Sequence, residues 1–203
     1  RVGIYNSVPT GGFSAAGADV MITGFAGLRP SPCIVGNKLL VGDSDPVLGY
    51  HIKIWNTVPT SATTAATCNY RISGFSSEVT EIRTDGVKFC ANSYKLWIWN
   101  SVPESNTDTS SVAAYNVDND VCMTAWFGGS GKFYIIRGNN AVISIYNSVP
   151  AAPFALASES SKITIVNSRW GWNSAVAEIR NMLFAFVWDP GATMRVYIWN
   201  AVP

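Results

Sequence analysis

Few residues of this 203-residue chain could carry out acid–base or metal chemistry. His51 is the single histidine, so any mechanism in which a histidine activates a serine or cysteine would have to use it. It stands directly before the strand-like segment that begins at Ile52, which favours a structural role at the start of a strand. One histidine also cannot supply a histidine-rich metal site. The sequence therefore predicts no catalytic residue, no metal ligand and no cofactor, and a chain that is not an enzyme.

Two short acidic segments could offer oxygen ligands to calcium. They are Asp43-Ser44-Asp45 and Asp118-Asn119-Asp120, and neither has the spacing of a known calcium-binding loop. The Gly128-Gly129-Ser130-Gly131 segment lacks the lysine and the following helix of a phosphate-binding loop. We expect solvated turns at the two acidic segments and a flexible turn between strands at the glycine-rich one.

Aromatic residues give a stronger signal, because they make up 12% of the chain. Trp170 and Trp172 are separated by one glycine, which places two rings on one face of a strand or turn. Such a pair could stack on a sugar or hold a partner protein, although core packing would need the same rings. Trp170 and Trp172 are therefore the candidate ligand-binding residues.

A short sequence motif, which we call the phrase, occurs five times. The strands that it forms must position all of these residues. Its copies are Val2–Pro9, Ile52–Pro59, Leu96–Pro103, Ile143–Pro150 and Val196–Pro203. Their central asparagines are Asn6, Asn56, Asn100, Asn147 and Asn200, at intervals of 50, 44, 47 and 53 residues. Intervals of this size are typical of propeller blades.

Each copy of the phrase reads as a strand that is apolar on both faces. Branched aliphatic residues such as Ile52 and Ile54 alternate with an aromatic position, so the strand should lie in a sheet between two other sheets. Asparagine followed by a small residue, valine and proline should then end the strand. The aromatic position is held by Tyr5, Trp55, Trp99, Tyr146 and Trp199.

Three further strand-like runs lie between successive copies, bounded by glycine, proline, asparagine and serine. They are 19–25, 31–35 and 38–42; 69–75, 79–83 and 87–91; 111–117, 121–127 and 132–137; and 162–167, 175–179 and 182–188. With the phrase as closing strand, each set makes a four-stranded antiparallel unit. We predict an all-β fold, a β-propeller of four visible repeats in one domain, residues 1–203. The repeats span about 10–59, 60–103, 104–150 and 151–203, and residues 1–9 form an extra closing strand.

The repeat resembles a bacterial variety of the NHL-type propeller repeat, in which strand, turn and strand end in IWN-small-VP. That resemblance implies a scaffold for ligand binding or protein interaction and, less often, for catalysis. In that family the third strand often ends in aspartate near the start of the fourth. The corresponding positions here are Asp43, Asn92, Arg137 and Asp189, and two of the four keep the acid. A uniform ring of functional carboxylates is therefore not expected.

The chain has five closing strands for four sets of the other three, so one strand is surplus. A closed four-bladed ring has one place for either Val2–Asn6 or Val196–Asn200. The chain could be cut from a larger propeller, the surplus strand could pair with another molecule, or closure could occur in another way. Repeated strand exchange between copies would give a ring or a filament.

Charge and hydropathy limit the partners. Charged residues make up 13% of the chain, the net charge is +1, and no basic run occurs, so nucleic acid is not an expected partner. The longest apolar stretch, Met182–Trp188, is too short to span a bilayer, and no leader is visible. Because the sequence begins at Arg1 and ends inside a copy of the phrase, we expect a processed chain, a fragment or the readable part of something longer.

Four cysteines, Cys33, Cys68, Cys90 and Cys122, lack metal-site spacing. They allow three disulfide pairings or four buried thiols, and their even number mildly favours an exported protein.

We predict a non-catalytic extracellular or cell-surface structural or interaction module that assembles with copies of itself. A sugar-binding propeller and a propeller enzyme acting on polysaccharide or a lactone are the alternatives. A glycan or another extracellular protein is a further candidate partner.

Overall fold

The fold was established from a computed structural model. It describes residues 1–7, 17–27, 30–93, 95–112, 114–115, 122–137, 142–150, 159–165, 175–188 and 194–202. Helical structure in these ranges includes short 3-10 turns at Ala65–Thr67 and Thr109–Ser111. No helix in the described part of the chain is long and apolar enough to cross a membrane.

Strands make up most of the described structure. In chain order they are β1 Val2–Ile4, β2 Val20–Thr23, β3 Ser31–Val35, β4 Lys38–Asp45, β5 Gly49–Trp55, β6 Thr63–Thr64, β7 Tyr70–Phe75, β8 Glu81–Thr84, β9 Phe89–Ser93, β10 Lys95–Trp99, β11 Thr107–Asp108, β12 Ala114–Tyr115, β13 Cys122–Phe127, β14 Phe133–Arg137, β15 Val142–Tyr146, β16 Ser161–Thr164, β17 Ala175–Ile179, β18 Met182–Trp188 and β19 Met194–Trp199. A strand lies within or overlaps every predicted run, because the alternating pattern and the flanking turn residues mark each one.

Three successive sheets contain four antiparallel strands that follow one another in chain order. They are β3–β4–β5–β7, β8–β9–β10–β12 and β13–β14–β15–β16. A series of such sheets along the chain is the blade organisation of a β-propeller, which confirms the predicted fold class.

The strand that contains the phrase, called the phrase strand, is the third strand of its blade. The prediction that it is the last strand is wrong. β5 lies between β4 and β7, and β7 belongs to the interval after the phrase. The surplus copy forms a sheet of its own, in which β1 pairs with β2 and β2 with β6. The last copy, β19, pairs with β18 in the sheet β17–β18–β19. The first and last copies therefore do not compete for one position.

Short parallel bridges join two of the fourth strands, β2 and β7, to the linker of the following blade. β6 pairs with β2, and β11 pairs with β7. Gly74 allows this close approach, since its φ is +85° and a Cβ atom there would lie 2.8 Å from Oγ1 of Thr109. That hydroxyl donates a hydrogen bond of 2.9 Å to the Gly74 carbonyl. Gly24, in the equivalent I-[ST]-G-F sequence of β2, also has a positive φ.

The hydrophobic core is a series of layers between neighbouring sheets. One layer combines Ile52 and Ile54 of β5 with Phe89, Ala91 and Trp99 of the following blade. The layers before and after it have the same composition, with aliphatic residues from one sheet and an aromatic residue from the next. The sheets between the first and the last are therefore stabilised by burial on both faces.

Candidate interaction surface

The two faces of the phrase strand have fixed and different roles. The branched residues pack forward onto the next sheet, as Ile143 and Ile145 do on Leu183 and Ala185. The aromatic residue packs backward, as Trp99 does in the layer that contains Ile52. Alternation along the strand imposes this division, because neighbouring side chains point to opposite faces. Every blade thus has a forward aliphatic face and a backward aromatic face.

Most residues at the predicted aromatic position lie inside these layers. Trp55, Trp99 and Tyr146 are each at most 4% exposed. The Trp99 ring stacks on Phe89 with centroids 4.8 Å apart and an interplanar angle of 2°. Tyr5 and Trp199, in the first and last sheets, are half-buried. The position is thus most exposed in the two end sheets.

The recurring asparagines end their strands through the backbone. The N–H of Asn56 donates a 2.9 Å hydrogen bond to Oδ1 of Asn69, thirteen residues later. The same thirteen-residue relation joins the N–H of Asn6 to Asp19 and the N–H of Asn147 to Ser160. A polar residue just before the fourth strand thus satisfies the N–H that the phrase strand leaves at its end. This thirteen-residue spacing is visible in the sequence, although none of the predictions used it. The asparagine side chains are mostly exposed, at Asn6, Asn100, Asn147 and Asn200.

The forward face of the last sheet is open. Val196 and Ile198 of β19 are 49% and 57% exposed. Their equivalents Ile52 and Ile54, and also Ile143 and Ile145, are fully buried. The same residue types at the same strand positions thus lack a covering sheet only in the last described blade.

The open face extends across all three strands of that sheet. Phe184 and Phe186 of β18 pair with Ile198 and Val196, so the four side chains point to the same side. Leu183 and Ala185 point to the other side and are buried against the preceding blade. The members of the open face are Ala175, Ala177, Ile179, Met182, Phe184, Phe186, Val196 and Ile198. We call this set the open face.

The backward face of the first sheet is the counterpart at the other end. Val2 and Ile22 pack forward on Leu39 and Trp55 of the next blade. The residues on the reverse side are Gly3, Tyr5, Met21 and Thr23. Gly3 is exposed and Tyr5, Met21 and Thr23 are half-buried. We call these four residues the acceptor face.

A buried ionic cluster distinguishes the first complete blade. The Lys53 amine lies 2.7 Å from Oδ2 of Asp43, and the Gly27 N–H donates to Oδ1 at 2.8 Å. His51 is fully buried, its Nδ1 donates to the Gly49 carbonyl at 2.9 Å, and its Nε2 lies 3.9 Å from Oδ2 of Asp43 without a hydrogen bond. The predicted role of His51 was at a strand start, and it lies within β5.

The electrostatics of this cluster follow from burial and hydrogen bonding. Burial lowers the pKa of His51, with a further contribution from Lys53, against the opposing effect of the Gly49 hydrogen bond. Burial works to raise the pKa of Asp43, but the hydrogen bonds from Lys53 and Gly27 outweigh it and the pKa is lowered. The three residues are at most 6% exposed, so a substrate in solution would not reach them. The arrangement has a structural role, because it links Gly27, which follows strand β2 of the first sheet, to the next blade.

Register shows which residues replace Asp43 in the other blades. Asp43 pairs with His51, and the equivalent pairs begin with Ser93, Arg137 and Val187. These differ from Asn92 and Asp189, which were the sequence-based assignments in two blades. Among these pairs of the described strands, Asp43 is therefore the one acid at this register position.

A second tie joins the last sheet to the preceding blade. Glu178 of β17 accepts hydrogen bonds from Tyr134 Oη at 2.6 Å and from the N–H and hydroxyl of Ser130 at 2.9 and 2.8 Å. Burial and the neighbouring carboxylate raise the pKa of Tyr134. The glycine-rich turn is thus held against Glu178.

An arginine contacts the first strands of two blades. The Arg83 guanidinium of β8 is paired with Glu81 and lies 5.3 Å from the ring centroid of Trp126 in β13. Burial raises the pKa of the Cys33 thiol in β3, and the charge of Arg83 opposes this shift. These contacts join the first strands of neighbouring blades.

Several predicted candidates lie outside the described residues. They are Trp170, Trp172, Asp118-Asn119-Asp120 and Asp189. No disulfide joins any two of Cys33, Cys68 and Cys90. The prediction of a solvated turn at Asp43-Ser44-Asp45 is wrong, because the three residues end strand β4 and Asp43 is buried against Lys53. Asp45 accepts hydrogen bonds from the N–H groups of Val47 and Leu48 in the turn that follows. In the described ranges, no three His, Cys, Asp or Glu side chains form a group that could hold a metal ion.

Two solved structures are similar to this chain. The chain is similar to the crystal structure of the computationally designed Ika4 protein, with a TM-score of 0.53 and 12% sequence identity over 88% of this chain and 96% of that chain. The crystal structure of the WD40 β-propeller domain of Doa1 matches with a TM-score of 0.42 and 14% identity, over 85% of this chain and 68% of that chain. No family model matches the sequence, and no curated protein matches it.

Proposed function

We propose that this chain is a non-catalytic extracellular structural or protein-interaction β-propeller that assembles with copies of itself. The observation that carries the proposal is the open face, where Val196 and Ile198 are about half exposed although their equivalents are fully buried. Monomeric proteins rarely expose a contiguous apolar patch of this kind, and such patches mark interaction sites.

The chemistry of the chain supports a binding role without catalysis. Its single histidine is buried in strand β5, and the carboxylate of Asp43 opposite it in β4 accepts hydrogen bonds from Lys53 and Gly27. The low charged fraction of 13% supports an extracellular setting. The IWN-small-VP phrase and the four-stranded blades support assignment of the repeat to the NHL type.

The surplus copy of the phrase takes part in this assembly as β1. It supplies a fifth sheet, and it leaves the chain with one edge strand of phrase type at each end, β1 and β19. Because edge strands and uncovered sheet faces both recruit further strands, a second molecule could be bound by strand addition or by face packing.

Sedimentation velocity over a range of protein concentrations tests the proposal. The wild-type chain should sediment as a species heavier than 21.9 kDa as the concentration rises. The variant Val196→Lys/Ile198→Lys should remain at the chain mass, because two charges replace apolar contacts. Val47→Lys is the matched control, since Val47 is 90% exposed in the β4–β5 turn. A wild-type chain that stays at 21.9 kDa throughout would show the proposal to be wrong.

A further inference from the structure

We infer that the open face of one copy docks on the acceptor face of a second copy, head to tail, with Val196 and Ile198 packed against Tyr5 and Met21. This inference rests on the proposed self-assembly and names the two surfaces that form it. It places face packing, and not exchange of the surplus strand, at the junction between copies.

The internal interfaces define what covers a forward face. In each of them, the branched residues of the phrase contact the aromatic side of the following sheet. Ile52 and Ile54 share a layer with Trp99, and Leu96 and Ile98 share one with Tyr146. The open face presents Val196 and Ile198 in the same alternation. The partner that fits it is therefore the backward face of another sheet of this repeat.

The first sheet of the chain offers such a backward face. Tyr5 occupies the position of Trp99 and Tyr146, yet it is half-buried where those residues are 3% exposed. Ala18 lies over Gly3, because a Cβ atom built on Gly3 would be only 3.1 Å from Cβ of Ala18, so Tyr5 and Met21 supply the apolar part of this face. An aliphatic side chain from β19 of another copy can pack against Met21 and the tyrosine ring.

The first sheet of the same chain does not provide the cover. Val196 and Ile198 remain about half exposed although β1 and β2 are described in the same structure. A contact between two different faces is heterologous, so each copy keeps one open face and one acceptor face after the first contact forms. Repetition of this contact gives a closed ring or an open filament.

A complementation experiment with two variants tests the assignment. One variant, Val196→Lys/Ile198→Lys, blocks the open face and keeps the acceptor face. The other, Tyr5→Lys/Met21→Lys, blocks the acceptor face and keeps the open face. Each alone should sediment at the chain mass at a concentration where the wild type is mostly associated. An equimolar mixture should form a species of twice the chain mass that does not grow further, because each variant supplies the face that the other lacks.

Other outcomes separate this inference from the proposed function. If the acceptor-blocked variant still dimerises alone, two open faces pack on each other, and head-to-tail docking is wrong while self-assembly stands. If the wild type associates but the mixture forms no dimer, the inference is also wrong. If the wild type does not associate, both fail. Should either lysine variant lose cooperative unfolding, Val196→Ser/Ile198→Ser and Tyr5→Ser/Met21→Ser replace them in the same comparison.

Discussion

The amine of Lys53 donates a 2.7 Å hydrogen bond to Oδ2 of Asp43 in a place where both side chains are almost completely buried. Asp43 also accepts the N–H of Gly27, which follows the fourth strand of the preceding sheet. The ion pair thus links two sheets across a layer that is otherwise apolar. Its equivalents in the next blade are Ser93 and Trp97, so this tie is particular to one blade.

Replacement of Lys53 with methionine should strongly destabilise the protein. The change leaves the carboxylate of Asp43 buried without its counter-ion, and loss of one partner of a buried pair costs about 3–5 kcal/mol. Urea unfolding at pH 7 measures the change in the free energy of unfolding.

Two variants check the cause of that loss. Lys38→Met breaks a pair with Glu104, whose side chain is 84% exposed, so it should cost no more than about 1 kcal/mol. The double variant Asp43→Asn/Lys53→Met keeps an acceptor for Gly27 and should recover most of the stability. Equal losses for Lys53→Met and Lys38→Met would contradict the structural role of the pair.

The stability of the protein should fall as the pH decreases from 7 towards 5. Burial and the charges of Lys53 and Arg71 lower the pKa of His51 below its usual value of 6.5, although Asp43 and the Gly49 carbonyl oppose them. The unfolded chain therefore binds a proton at this histidine before the folded chain does, and the free energy of unfolding decreases below pH 6.5. The slope should not exceed about 1.4 kcal/mol per pH unit for one group.

His51→Gln separates this effect from the carboxylates. The pKa of Asp43 is lowered from 3.8, so the stability that Asp43 contributes is lost only as the pH falls below that value. Urea unfolding of His51→Gln should thus give a nearly constant free energy between pH 7 and 5. A variant that keeps the wild-type slope would assign the pH dependence to other groups.

The positions of the strands could be predicted from the sequence, but their grouping into sheets could not. Ser31–Val35, Ala175–Ile179 and Met182–Trp188 have the predicted bounds, because alternation and turn residues are local signals. Pairing between β5 and β7 depends on contacts across the linker after the phrase, which the local pattern does not contain. This is why the phrase strand is third in its sheet and not last.

The open face had no signal of its own in the sequence. Val196 and Ile198 show the same alternation as Ile143 and Ile145, and only the packing of a following sheet makes one pair buried and the other exposed. The ionic cluster could be predicted in part, since Asp43 and His51 are both candidate residues in the sequence. Their contact depends on the register between β4 and β5, which places them opposite each other.

Gly128→Ala should destabilise the junction between the last two blades. A Cβ atom at Gly128 would overlap Oε2 of Glu178 and lie 2.8 Å from Cε2 of Tyr134. Glu178 cannot move away freely, because Tyr134 and Ser130 donate hydrogen bonds to it. Overpacking of this kind costs about 1–3 kcal/mol.

Gly129→Ala is the matched control for the glycine-rich turn. No atom lies within 4 Å of a Cβ placed there, so the free energy of unfolding should change little. Thermal or urea unfolding of the two variants gives the comparison. Similar stabilities would mean that Glu178 adjusts without loss of its hydrogen bonds.

Asn69→Ala should weaken the end of β5 by removing the acceptor for the Asn56 N–H. The lost hydrogen bond is exposed, so the cost should be about 0.5–1.5 kcal/mol in the free energy of unfolding. Asn69→Asp keeps a side-chain oxygen in the same place, and the equivalent residue of the first sheet is already an aspartate, Asp19. Asn69→Asp should therefore retain near wild-type stability.

Hydrogen exchange at the Asn56 amide provides a local measurement, and faster exchange is expected in Asn69→Ala but not in Asn69→Asp. Unchanged protection in Asn69→Ala would mean that water replaces the side chain at no cost, and the thirteen-residue spacing would then reflect chain length alone.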